Sequence, residues 1–448
     1  MNYYLFKQFC RNKAYIISLI ILLFAGLSSL YTGKKFLDRN EDIIAKSAAY
    51  QQESLDKNLS LHSDDIGLLL YYVKFNLVNE MPKLTALNIG LRDLNPSIQG
   101  VTIRNLEEQK NNSDFFNPAN AVVGNFDFSF VLIFLFPLVI IAFCYNVISD
   151  DQEKGTWKLL VVQSKSIKKL IDTKLFIRFL AIVFVYFLLL TVAIFYIAIP
   201  INYDFIIYSS VGLLYIIFWF VLSRWIISYQ KSSSWNALSL VILWMGMNFI
   251  FPMLGNMVIQ KVYPTKEGLQ AQIEQREGYH NKWDEKKAET MKRFHVIYPQ
   301  FSHYNVDENV SSSYIWYYAM QHLGDVESSL SSKQYNHKME QRNNAAIFIG
   351  YILPNIQTQL VQSKLAKTGM ENQLNYANGL KDFHEKQRLY FYPHIFENDN
   401  ADVINWSKQT VKTFIDSEKI NLDRVFTPYL IIIALLLILS QNKYKKLC

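Results

Sequence analysis

Six stretches of this chain run long enough without a charged side chain to cross a lipid bilayer, and they constrain the fold more than any motif does. They span residues 14–32, 128–149, 179–203, 205–223, 232–260 and 425–442. Crossing the hydrocarbon core takes about 20 consecutive apolar residues. A charge at the centre of a spanning helix costs about 2.5–3.5 kcal/mol. The last stretch is the weakest, because its apolar centre, 429–439, is short, but it ends in Lys443, Lys445 and Lys446. The first follows Lys7, Arg11 and Lys13 and reads as an uncleaved anchor, since no small-x-small cleavage site follows it cleanly. Tyr3, Tyr4, Phe6 and Phe9 before it fit a short amphipathic helix at the interface.

Orientation follows from the basic residues near the spans. With the N-terminus in the cytoplasm, segments 1–13, 150–178, 224–231 and 443–448 are cytoplasmic; together they hold fifteen Lys and Arg against four acids, Asp150, Asp151, Glu153 and Asp172. Segment 33–125 has ten basic and twelve acidic residues, and 261–424 has twenty of each. The cytoplasmic segments thus carry +11 and the external ones −2 and 0, so the whole positive excess lies on one side, which is the positive-inside pattern and not a nucleic-acid footprint. Lys34, Lys35 and Arg39, just past the first span, run against it.

The expected fold is an all-α polytopic membrane protein with six transmembrane helices and two mainly helical extracytoplasmic domains. Residues 1–32 supply the interfacial segment and first span, 33–125 the first external domain, and 126–260 the next four spans with a cytoplasmic segment at 150–174. Residues 261–424 form the second external domain, and 425–448 the last span and basic tail. Within the external segments, helical spacing predicts helices over 36–61, 66–77, 313–323, 345–367, 370–390 and 401–415, with some strand around 98–104. Asn95-Pro96 and Asn117-Pro118 mark turns. The alternating charges of 265–295 read as a solvated helix. Stretch 343–363 is also charge-free but carries Pro354, Asn355, Gln357, Gln359 and Gln362, and reads as an external helix at the membrane surface.

Chemistry-bearing motifs are scarce. Cys10, Cys144 and Cys448 fall outside the external segments, so no disulfide framework is expected there. The eight histidines lack HxxxH or HExxH spacing, and His384-Glu385-Lys386-Gln387-Arg388 only superficially imitates a zinc-protease helix. No GxxxxGK[ST] loop occurs, so the chain is not expected to hydrolyse ATP itself. Arg178 and Arg224 lie near span ends, where snorkelling is cheap, and Pro137 and Pro252 are candidate kink sites.

Residues 147–179, VISDDQEKGTWKLLVVQSKSIKKLIDTKLFIRF, resemble the hallmark of ABC-2-type permeases, the membrane subunits of one class of ATP-binding-cassette exporters. The resemblance rests on Asp150, Asp151, Glu153, Lys154, Gly155, Thr156, Leu159, Leu160, Lys168, Lys169, Lys174 and Leu175. Trp157 stands where the family usually has Leu, and the usual proline is absent near Ser164 and Lys165. Residues 236–268 and 380–393 resemble the subset with a large external domain between the fifth and sixth helices.

The resemblance implies a permease in a bacterial inner membrane with both termini cytoplasmic. It implies an ATP-binding-cassette ATPase partner, carrying ATP and Mg²⁺, and a second permease chain, identical or paralogous. Membrane lipids and a periplasmic partner fit the same picture, and nucleic acid does not. It assigns ATPase coupling to Asp150, Asp151, Glu153, Lys154, Gly155, Thr156 and Trp157. The acids would pair with a basic partner surface, Gly155 would permit a turn or close approach, and Thr156 would cap the next helix. The alternative is a non-transporting membrane scaffold whose external domains bind periplasmic or surface partners.

Overall fold

The computed structural model describes residues 2–110, 125–163, 166–309 and 313–444. The turn expected at Asn117-Pro118, the positions Ser164 and Lys165, the tail lysines Lys445 and Lys446, and Cys448 lie outside them.

Along the chain run α1 (Asn2–Arg11), α2 (Lys13–His62), α3 (Ile66–Tyr72), β1 (Phe75–Asn79), β2 (Ile98–Val101) and α4 (Leu106–Lys110). Next come α5 (Phe128–Glu153), α6 (Trp157–Gln163), α7 (Ile167–Ile197), α8 (Tyr203–Ile227) and α9 (Ser233–Val262). The rest of the chain holds α10 (Glu267–Asn281), α11 (Lys287–Ile297), α12 (Tyr314–Glu327), α13 (Ser329–Gly350), α14 (Pro354–Leu365), α15 (Met370–Phe396), β3 (Lys412–Phe414) and α16 (Leu422–Tyr444).

Among the described residues, six helices are long and apolar enough to cross a membrane: α2, α5, α7, α8, α9 and α16. They pack around one core that contains Phe128, Phe136, Tyr186, Tyr208, Tyr215 and Trp219. α5 and α8 are central, with 61% of their most apolar windows buried, whereas α2, α9 and α16 bury 28%, 22% and 17%. The outer helices turn Ile16, Ile20, Phe24, Met253, Val258 and Ile438 outward, an apolar surface suited to lipid and costly in water.

α2 does not stop at the expected boundary near residue 32 but continues as a single helix of 50 residues, about 75 Å long at 1.5 Å per residue. No proline interrupts it, and Leu22, Gly26, Ser29, Leu30, Gly33 and Leu37 keep one buried face across the boundary. Gly33 is needed there, because a Cβ would sit 1.8 Å from the Ala86 carbonyl oxygen. That contact seats the 3-10 turn Lys83–Leu87 directly on the helix.

Segments 33–125 and 261–424, read from sequence as two domains, fold around a shared core. Leu55, Ile66, Leu69, Phe75 and Ile103 from the first pack with Met291, Phe294, Tyr318, Leu323, Phe391 and Tyr392 from the second. A three-stranded sheet of order β2-β1-β3 also joins them, β2 antiparallel and β3 parallel to β1. The helix predicted over 66–77 ends at Tyr72, and Phe75–Asn79 is strand. The helix predicted over 401–415 is two 3-10 turns followed by β3, consistent with its β-branched Val403, Ile404, Thr410, Val411 and Thr413. The charged stretch 265–295 makes two helices, not one, and Ala271, Gln275, Met291 and Phe294 bury one side of them.

Proline shapes three further places. Pro354 separates α13 from α14, dividing the helix expected over 345–367. Pro137 and Pro252 each follow a π-helical turn, Val131–Leu135 and Gly246–Ile250. Pro137 has no N–H for the carbonyl of Ile133, and Tyr215 Oη of α8 donates to it at 3.0 Å. Next to it, Trp244 Nε1 of α9 donates to the Phe134 carbonyl at 3.2 Å.

Candidate functional site

The link between α5 and α7 emerges from the bundle at the end where α8 finishes and α9 begins. Its acids do not project as free charges. Lys154 Nζ pairs with Asp150 Oδ2 at 2.9 Å. Asp151 pairs with Lys174 of α7, both side chains being mostly covered. Glu153 accepts from the Ser233 backbone N–H at 2.7 Å and from Ser233 Oγ at 3.0 Å. A carboxylate in this position satisfies an orphan donor and complements the positive end of the α9 dipole. Ser149 Oγ also meets Ser233 Oγ at 2.7 Å, and Asn236 Nδ2 donates to the Tyr145 carbonyl at 3.0 Å. The link is therefore fastened to α7 by Asp151 and to α9 by Glu153.

Gly155 turns the chain with φ +75°, and nothing lies within 4 Å of where its Cβ would be. It serves a turn. Thr156 Oγ1 donates back to the Asp151 carbonyl at 3.2 Å. Trp157 packs half-buried against the bundle core. Beyond it Leu159 and Val162 are 57% and 84% exposed, and no residue of α6 is buried. Asp151 and Glu153 thus tie the link to α7 and α9, and the exposed face of α6 carries Leu159, Val161 and Val162 beside Lys158. Sequence reasoning missed Ser233, whose capping pattern Ser232-Ser233-Ser234 was the available signal.

A second tie lies at the same end. Arg224 of α8 donates Nε to Asp172 Oδ1 of α7 at 2.9 Å, bonds Ser440 Oγ of α16, and stacks 4.6 Å from the Tyr444 ring centroid. At 9% exposure Arg224 is a buried interhelix clamp and does not snorkel.

The opposite end of the bundle is closed by α14, the charge-free amide-rich helix expected at a membrane surface. Its residues up to Ser363 belong to that charge-free stretch, Lys364 lies in its last turn, and it packs against α8 and α16. Gln357 Nε2 donates to the Arg424 carbonyl at 2.8 Å, and Thr358 Oγ1 meets Tyr429 Oη at 2.6 Å. Ser129 Oγ donates to Gln362 Oε1 at 2.9 Å and meets Tyr208 Oη at 2.8 Å. These amides pair with backbone carbonyls and hydroxyls at the helix ends.

The His384–Arg388 stretch is a structural knot in the helical domain. His384 Nε2 meets the Thr102 carbonyl at 2.9 Å, and Arg388 pairs with Asp325 at 2.7 Å and bonds His322 Nδ1 at 3.1 Å. Burial, with the nearby Arg388 charge, pushes His322 down to about 2 and His384 well below the usual range. Among the described residues no group of three or more His, Cys, Asp or Glu is placed to hold a metal.

A family model described as a domain of unknown function, DUF3526, matches residues 268–414. No curated protein matches the chain, and no solved structure does.

Proposed function

We propose that this chain is the membrane permease subunit of an ATP-binding-cassette exporter, moving a substrate outward with energy from a separate ATPase subunit. In this reading it crosses a bacterial inner membrane six times, with both termini and the 150–174 link in the cytoplasm and the helical domain outside. A second permease chain, identical or paralogous, completes the pore. The observation that carries it is the link itself. A short helix exposes Leu159 and Val162 while Asp151 and Glu153 fasten its base to two different apolar helices. An element built this way transmits a push from a soluble partner into the bundle. Six apolar helices and the one-sided basic charge support the topology.

The test is a photo-crosslinking residue at Val162 in the full chain, expressed in its own host. The expected adduct is an ATP-binding-cassette ATPase subunit, in a yield that changes when ATP is trapped. Adducts with lipid or unrelated proteins only would overturn the assignment.

A second reading, a scaffold that transports nothing, draws on the helical domain. There β2 is an edge strand beside a groove of ≈1030 Å³ bordered by Tyr50, Lys74, Leu269 and Tyr335. Free sheet edges accept extended peptides. Full cellular function beside a catalytically dead ATPase would favour this reading.

A further inference from the structure

α1, α5 and α7 enclose a polar cavity of ≈180 Å³ with the start of α2. Asn12 and Tyr15 border it from the first apolar run, Asp150 from the second and Arg178 from the third. Each lies within two residues of the point where its run meets charged sequence: Lys13 before Ala14, Asp150 after Ser149, and Arg178 before Phe179. Three independent boundaries at one cavity place it at the level of lipid headgroups. The exposed Tyr3, Tyr4 and Phe6 of α1 form the aromatic surface expected at that level.

The charges around the cavity do not balance. Asp150 is taken by Lys154 and Asp151 by Lys174. Arg178 has no ion pair among the described residues. Its Nη2 donates to Tyr15 Oη at 3.1 Å and the guanidinium lies 5.4 Å from the Tyr15 ring centroid. Its Nη1 is enclosed and has no hydrogen-bond partner. A partly covered guanidinium with one enclosed, unbonded nitrogen and no counterion favours an anion, and its donor fork matches a phosphate.

We propose that this cavity binds the phosphate of an anionic phospholipid, with Arg178 as its counter-charge and α1 as its outer wall. The headgroup would tie α1 to the base of the 150–174 link. Binding rests on the membrane placement of the chain and does not require the exporter reading.

The test uses the full chain, purified and delipidated in a neutral detergent, with lipid retention read by native mass spectrometry. Phosphatidylglycerol should bind at least tenfold more tightly than phosphatidylcholine. Arg178→Gln should abolish that preference, and Arg178→Lys should restore part of it. Gln8→Glu, on the exposed face of α1 beside the cavity, should weaken it several-fold by supplying a competing carboxylate. It decides the matter if Arg178→Gln does not fold. Lys168→Gln, exposed on α7 and outside the cavity, should change nothing. Equal retention of both lipids, or a preference that survives Gln8→Glu, overturns the proposal. So does inorganic phosphate raising the melting temperature as much as the lipid does, which would assign the cavity to a soluble anion. No ATPase is present in this assay, so its failure leaves the exporter reading standing.

Discussion

Arg224 and Asp172 join α8 to α7 through an Nε–Oδ1 contact of 2.9 Å at the end of the bundle that carries the 150–174 link. The guanidinium is mostly covered, with a side-chain exposure of 11%, whereas Asp172 remains 42% exposed. Removing the arginine leaves a carboxylate that water can still reach, so the cost falls below that of a fully buried pair. Arg224→Met should destabilise the purified protein by about 2 kcal/mol, most of it from the lost Tyr444 stacking and the Ser440 bond. Thermal unfolding in detergent measures this. Asp172→Asn keeps an acceptor but leaves the covered guanidinium without a counterion, and should cost a comparable amount.

Tyr215 and Ile133 give a second prediction. The Tyr215 hydroxyl satisfies a carbonyl that Pro137 leaves without a helical donor, inside the bundle and away from water. Tyr215→Phe keeps the ring and removes only that bond, so the cost should be about 1–3 kcal/mol, the penalty of an orphaned buried acceptor. Adding Pro137→Ala should recover part of the loss by returning an N–H to the helix. A double-mutant cycle with no coupling between the two positions would contradict this account.

His322 and His384 govern the acid sensitivity of the helical domain. Both rings are held neutral, chiefly by burial and then by the charge of Arg388. His322 Nδ1 accepts from Arg388, which a protonated ring cannot do. The unfolded chain binds more protons than the folded one below about pH 6.5, so stability is full above that pH and is lost as pH falls through it. The slope should approach about 1.4 kcal/mol per pH unit for each histidine. Asp325, whose carboxyl is raised by burial, acts in the opposite sense at lower pH. His322→Gln should therefore flatten the dependence of melting temperature on pH between 6.5 and 5, and an unchanged slope would show that the ring titrates freely.

The link offers a prediction on backbone conformation. Gly155 has φ +75° with open space around it, so steric room is not the issue. Gly155→Ala should cost about 1–2 kcal/mol locally from the left-handed conformation alone. Because Glu153 and Asp151 sit on the near side of that turn, α6 should be displaced while the bundle stays folded. Faster amide exchange in residues 157–163, with unchanged exchange in α8, checks this.

The apolar helices are legible in the sequence because a charge inside a bilayer is expensive over every residue of a span. Their ends are less so. α2 passes through the expected boundary at residue 32 because Gly33 and Leu37 continue the face begun by Leu22 and Leu30. The merging of 33–125 with 261–424 was not legible, since β1 and β3 lie more than 300 residues apart and each is too short to announce itself. At the link, the glycine turn is readable from residue type. The bonding of Glu153 to Ser233 is not, because it joins positions 80 residues apart. The same holds for Arg224, whose place at a span end suggests snorkelling and whose partners Asp172, Ser440 and Tyr444 lie on two other helices.

The coupling proposed for α6 is read by ATP hydrolysis in a reconstituted complex. The purified chain should stimulate its ATP-binding-cassette partner several-fold in proteoliposomes. Leu159→Glu with Val162→Glu should abolish both stimulation and co-purification, with no fall in melting temperature, since both side chains are exposed in the isolated chain. Full stimulation by the doubly charged variant, or an ATPase that neither binds nor responds to the wild-type chain, would contradict it.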